Sequence, residues 1–137
     1  MRPIPVPDDN SAPYWAAAAD HVLTVARCSV CRVYTIPLAV VCPHCQSTEP
    51  AFVFEPVGGR GTLRSWTTVR QSFLPGFDDD LPFVLADVEL DEQQELRMIG
   101  RLLDGAEVPL HLGDRVTVAF EDLAPGVGIP AFVLDKS

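Results

Sequence analysis

No apolar run in this 137-residue chain approaches the roughly 20 residues that a membrane-crossing helix needs. The start, Met1-Arg2-Pro3-Ile4-Pro5-Val6-Pro7 followed by Asp8 and Asp9, lacks the basic opening and apolar stretch of a secretory signal. These absences lead to the expectation of a soluble, cytoplasmic protein with no membrane association. Positive charge is also scarce. Ten Lys and Arg stand against 19 Asp and Glu, a formal net charge of −9. Tight non-specific binding of nucleic acid needs a positive field that displaces phosphate counterions. The balance therefore disfavours nucleic acid and anionic membrane surfaces, and favours a protein or small-molecule partner. Cysteine is missing from all but one stretch, with all four between positions 28 and 45. A disulfide scaffold more often spreads its cysteines along a secreted chain, so this clustering points to a metal.

What is present is a mostly β pattern. Prolines 3, 5 and 7 suggest an extended arm. Ser11 suits a helix N-cap, Pro13 fits the first turn, and Tyr14-Trp15 with Ala16 to Ala19 predicts a short helix ending near Asp20 or His21. Alternation in Val22 to Arg27 predicts a strand leading into the first cysteine pair, and Ala51 to Phe54 another. Gly58-Gly59-Arg60-Gly61 reads as a flexible break and sets a domain boundary. Beyond it the candidate strands are Thr62–Gln71, Phe83–Leu90, Glu95–Leu102, Arg115–Glu121 and Pro130–Leu134. The insertion 104–114 has room for a helical turn. Five short strands with an insertion after the third fit an OB-type Greek-key barrel. The expected organisation is an N-terminal arm and helix over 1–21, a rubredoxin-like zinc ribbon over 22–57, and a five-stranded OB-fold barrel over 58–137.

The cysteines read Cys28-Ser29-Val30-Cys31, ten residues, then Cys42-Pro43-His44-Cys45. Each pair can form a tight turn that aims two sulfurs at one point, and two such turns supply a tetrahedral site with bonds of about 2.3 Å. A redox Cys-x-x-Cys opens a helix in a βαβ setting, which is absent here. Zinc is the expected metal, with iron the alternative because the same sulfurs suit both. Four thiolates leave no open coordination position, so the ion organises the fold and does not activate water. A unit of roughly 30 residues buries too little apolar surface to fold alone. Metal binding worth on the order of 10–16 kcal/mol covers that deficit. His44 is expected to face solvent. Arg27 and Arg32, beside the first turn, either offset the thiolate charge or lie solvated.

The order of these pieces resembles one known family. An aromatic-bearing short helix precedes the paired cysteines, then Gly61 to Thr67 (Gly-x-Leu-x-Ser-x-Thr) and a five-strand barrel. Pro75-Gly76-Phe77, Pro82-Phe83, Val88 to Asp91 and Leu112 to Val116 match as well. The chain is similar, from about residue 10 to 134, to the zinc-ribbon plus OB-fold family long catalogued as a domain of unknown function. The resemblance implies a non-catalytic accessory subunit. Its partner would be a thiolase-superfamily protein, a thiolase or a lipid-transfer-type aldolase of steroid or fatty-acid side-chain degradation, in some cases with a MaoC-like hydratase. Acyl-CoA binding is a further implication. Gln46, where the family has glycine, would make the second turn less ideal if a positive φ is needed there. Ile36-Pro37 replaces a Pro-Pro pair.

Strict alternation would set Arg64, Trp66, Thr68 and Arg70 on one face of the first barrel strand. Two readings are open for it: a ring and two guanidinium groups that hold an acyl-CoA, or Trp66 closing the barrel core with arginines at its rim. The same Arg64/Trp66/Arg70 face is the best support for the alternative function, a nucleic-acid-binding ribbon-plus-OB module, against which the −9 charge stands. Phe73, Leu74 and Phe77 sit in a segment rich in Gly and Pro, either a lid or a partner contact, and Asp78-Asp79-Asp80 reads as a solvated acidic loop. Tyr14, Trp15 and the alanines either pack on the ribbon or lie in a partner groove. No catalytic set emerges: Ser65 and Ser72 lack a nucleophile elbow, and His21 and His111 are isolated.

Overall fold

The computed structural model describes residues 5, 11–36, 41–49, 51–71 and 81–135. The arm at 1–4 and 6–10, Pro37, and the segment 72–80 with Phe73, Leu74, Phe77 and the three aspartates lie outside the described residues.

Among the described residues one helix, α1 (Ala12–Ala19), follows Ser11 at its N-cap and ends at Asp20. Three strands, β1 (Thr24–Arg27), β2 (Tyr34–Thr35) and β3 (Val53–Pro56), form an antiparallel sheet in the order β2-β1-β3. Five more, β4 (Arg60–Val69), β5 (Phe83–Leu90), β6 (Arg97–Leu102), β7 (Arg115–Ala124) and β8 (Val127–Leu134), close into a barrel in the order β4-β5-β6-β8-β7. The β6–β8 pair is parallel, as a five-stranded Greek-key closure requires, and the other barrel pairs are antiparallel.

The β5 pattern shows why the barrel forms. Val84, Ala86, Val88 and Leu90 are buried inside, while Leu85, Asp87 and Glu89 are half-exposed outside. Leu63, Leu102, Val116 and Phe132 complete the interior. Two strands are longer than alternation suggests. Residues 122–129 continue β7 into β8 through a tight turn at Pro125-Gly126, where Gly126 takes φ 77°. Proline and glycine there serve the turn of one hairpin and do not separate two short strands. The insertion between β6 and β7 holds turns and no helix among the described residues.

The glycine run expected as a flexible break is a packed seam. Gly59, at φ 76°, is buried, and a β-carbon there would overlap the Val118 side chain. Its carbonyl accepts the Val118 N–H at 2.7 Å. Leu23 and Val25 of the ribbon belong to the same buried cluster as Leu63 and Phe132 of the barrel, so one apolar core serves both. The helix corrects a second expectation. It lies mainly on β8 of the barrel, with Tyr14 reaching Phe54 of the ribbon at 6.3 Å between ring centroids. Gly128 permits this approach, since a β-carbon there would meet the Ala18 carbonyl oxygen. His21 then stacks on Phe120 at 5.2 Å, and its Nε2 lies 2.8 Å from Asp122 Oδ1.

Candidate metal centre

Two turns with the same internal bonding bring the cysteines together. In the first, the Arg32 N–H bonds the Cys28 carbonyl at 2.9 Å and the Cys28 N–H bonds the Val33 carbonyl at 3.1 Å. In the second, the Gln46 N–H bonds the Cys42 carbonyl at 2.8 Å and the Cys42 N–H bonds the Ser47 carbonyl at 3.1 Å. The residue after each second cysteine is left-handed: Arg32 at φ 65° and Gln46 at φ 63°. A positive φ is therefore built into both turns, and at position 46 a glutamine carries the strain that a glycine would not.

The four Sγ atoms lie within 4.8 Å of one another. Across the turns, Cys28 Sγ stands 3.8 Å from Cys45 Sγ, and Cys31 Sγ 3.7 Å from Cys42 Sγ. A regular tetrahedron with metal–sulfur bonds of about 2.3 Å has edges of about 3.8 Å. Disulfides, at about 2.05 Å, are excluded by the same distances. Cys28 and Cys42 are fully buried, while Cys31 and Cys45 lie toward the surface. The Cys45 N–H, against the effect of burial and with help from the His44 N–H, brings the Cys42 thiol down to about 6. Cys31 moves the other way, to about 11. The Val33 N–H lowers it, but burial and the thiols of Cys42, Cys45 and Cys28 outweigh that bond. Sulfurs this close oppose one another's ionisation, and a divalent cation removes the conflict. The donor set fits such an ion and leaves it no open position for catalysis. His44 is exposed, as expected.

Arg27 and Arg32 turn to a carboxylate that the sequence did not single out. Glu55 on β3 receives Arg27 Nη1 at 3.0 Å and Arg32 Nη2 at 3.4 Å. The hydrogen bond from Arg27 holds the Glu55 carboxyl below its ordinary range, against partial desolvation. Arg27 also lies over the Tyr34 ring at 4.7 Å. A second residue missed from sequence is Gln93, in the β5–β6 turn. Its Oε1 accepts the Tyr34 N–H at 2.8 Å, and its Nε2 donates to the Tyr34 carbonyl at 3.0 Å. The amide acts as a one-residue strand on the outer edge of β2 and ties the ribbon to the barrel. Nothing in a polar turn sequence distinguishes such a glutamine from a solvated one.

The expected Arg64–Trp66–Arg70 face does not form. The register between β4 and β5 slips between Leu63 and Ser65, a β-bulge at Arg64. Arg64 is thereby turned to the outer side, where Nη1 meets Glu89 at 3.2 Å and Glu95 at 3.7 Å. Trp66, opposite Ala86, stays on the inward side at the barrel rim, 37% exposed. It is neither part of a two-arginine cradle nor closed inside the core. Arg70 lies exposed just past the end of β4. Tyr14 is taken up by the seam, where burial pushes its hydroxyl up to about 12, and Trp15 meets its ring edge-on at 5.0 Å. Ser65 hydroxyl donates to Asp87 at 3.1 Å, a structural bond.

A mostly β chain that joins a four-cysteine ribbon to a closed five-stranded barrel is a ribbon-plus-OB-fold protein. Comparison with known proteins places it further. Residues 54–121 match the family model of the ChsH2 C-terminal OB-fold domain, so the barrel is similar to that of ChsH2. A chain of the solved Ltp2-ChsH2(DUF35) aldolase is similar over 95% of this chain and 98% of its own length, with a TM-score of 0.78 and 26% identity. A protein of Thermomonospora curvata named as a probable enoyl-CoA hydratase alpha subunit is 28% identical over 132 residues. That match takes in 96% of this chain but 40% of the relative. No helix among the described residues is long and apolar enough to cross a membrane.

Proposed function

We infer that this chain is a non-catalytic accessory subunit that binds a thiolase-superfamily partner in an aldolase or thiolase acting on CoA thioesters of steroid or fatty-acid side chains. The observation that carries this reading is the end-to-end likeness to a chain of the Ltp2-ChsH2(DUF35) aldolase. The site chemistry agrees with it. The four sulfurs suit a closed structural zinc, which stabilises and does not react. Ser65, His21 and His111 lie in structural bonds or ion pairs rather than in a nucleophile–base pair. In this reading the partner supplies the reacting groups, and the Trp66 rim of the barrel is where an acyl-CoA would meet this subunit. The name of the Thermomonospora curvata relative supports a variant in which the same unit also serves an enoyl-CoA hydratase. The test is co-expression of the tagged full chain with a lipid-transfer-type thiolase-fold protein from the same genome. A stable complex by size exclusion, with carbon–carbon cleavage of a CoA thioester that neither chain performs alone, is the expected result. Failure to form the complex, or turnover by this chain alone, overturns the proposal.

A further inference from the structure

Among the described residues, the second half of β4 has a neighbour on one side only. β4 pairs with β5 as far as Val69, but with β7 only over Arg60–Thr62. Leu63 adds one step, through Asp114 O at 2.8 Å and the Gly113 N–H at 2.8 Å. From Arg64 onward no described segment pairs with that edge. The direction of its backbone groups follows from hydrogen bonds on the neighbouring strand. The Leu90 N–H points to Leu96 across the β5–β6 hairpin, and the Asp91 N–H points to the Arg60 carbonyl of β4. Alternation then directs Asp87, Leu85 and Phe83 toward β4, where they face Ser65, Thr67 and Val69. Trp66 and Thr68 are the residues whose N–H and C=O face the open edge. Arg64 to Thr67 are all exposed, an unusual run within a closed barrel. Barrels close in order to abolish such edges.

We propose that this edge takes up an extended segment of a partner protein as an added strand, with an apolar side chain against Trp66 and an acidic one at Arg70. Charge selects this occupant. Arg27, Arg32, Arg64, Arg97, Arg101 and Arg115 each have a carboxylate within 4.0 Å, whereas Arg70, and Arg60 at the far end of β4, have none among the described residues. Arg70 shares the side of Trp66 and Thr68 by two-residue alternation. A second copy of this chain fits less well. Each copy carries −9, and the stretch Arg64–Arg70 that would pair with itself holds no acidic residue to meet Arg70. Main-chain bonds supply affinity in strand addition, and the alternate side chains supply selectivity.

The surface goes beyond the proposed function, which names a class of partner and no strand edge that receives it. The test is selection of random peptides displayed on phage against the metal-loaded full chain, followed by amide hydrogen exchange with synthetic winners. The expected winners carry an apolar and an acidic residue four positions apart, on one face of a strand, and slow exchange at Trp66 and Thr68. Thr68→Pro deletes an N–H that faces away from β5, so the barrel ladder is kept while binding falls about tenfold or more. Arg70→Glu, at an exposed site, removes the acidic preference and carries the test if the proline variant is unstable. Absence of enrichment, or equal binding by both variants, overturns the proposal. So does concentration-dependent protection of Trp66 and Thr68 without peptide, which would assign the edge to self-association.

Discussion

Replacing Cys42 with serine should unfasten the ribbon and weaken the barrel with it. Cys42 is fully buried, and its sulfur stands 3.7 Å from that of Cys31. A serine hydroxyl is a poor substitute for a thiolate ligand, so metal content should fall well below one ion per chain. Structural zinc contributes on the order of 10–16 kcal/mol, comparable to the whole stability of a domain. Without it the two turns and the short β2 have little to hold them. The loss then spreads, because Leu23 and Val25 are 2% and 3% exposed within the barrel's own cluster. Exposing both costs about 3–6 kcal/mol by area. For a chain of this size that lowers the melting temperature by about 10 °C or more. Elemental analysis, thermal melting by circular dichroism and amide exchange over β1 to β3 read the three stages. An intact protein with no bound metal, or a Cys42→Ser variant that melts like the parent with β1 to β3 still protected, would refute the reasoning.

Gln93→Leu removes both bonds to Tyr34 and leaves that strand edge unpaired. A loss of about 1–3 kcal/mol is expected by denaturant melting, with metal content unchanged. Gln46→Gly should instead stabilise by up to about 1 kcal/mol, because it relieves a non-glycine residue at φ 63°. Asp91, paired with Arg115 through hydrogen bonds of 2.9 and 2.5 Å, has its carboxyl held below the ordinary range chiefly by those bonds. Its contribution is therefore fully present above the ordinary aspartate range and is lost as pH falls below that range through the lowered folded value. Arg115→Ala should flatten the fall of melting temperature in acid while leaving the neutral slope unaltered. Gly128→Val presses on the Ala18 carbonyl and should loosen α1, read as a change in Trp15 emission and a loss of about 1–3 kcal/mol.

Patterns of short range were legible from the amino acids alone. Two Cys-x-x-Cys pairs ten residues apart point to a cluster of sulfurs that could hold a metal, because each pair is set by one local turn. The period-two run from Val84 to Leu90 defines a half-buried strand for the same reason, and Ser11 with Pro13 and four alanines defines a short helix. The strain at Gln46 was legible only through the family resemblance, which sets a glycine at that position.

Longer-range choices were not. Whether Arg64 stands beside Trp66 depends on one extra residue in the β4–β5 register, and a strand sequence reads the same with the bulge or without it. Glu55 and Gln93 matter only because β1 brings β3 alongside it and the β5–β6 turn meets β2, approaches between residues 28 and 59 positions apart. The glycine run read as a hinge because glycine permits bending, yet it became a seam because Val118 and Val88 came too close for any side chain. Sequence by itself determined the turns, the helix and the periodicity, which are properties of neighbours along the chain. Tertiary structure alone decided register, the shared core and the open edge of β4, because each depends on which distant backbone lies across the gap.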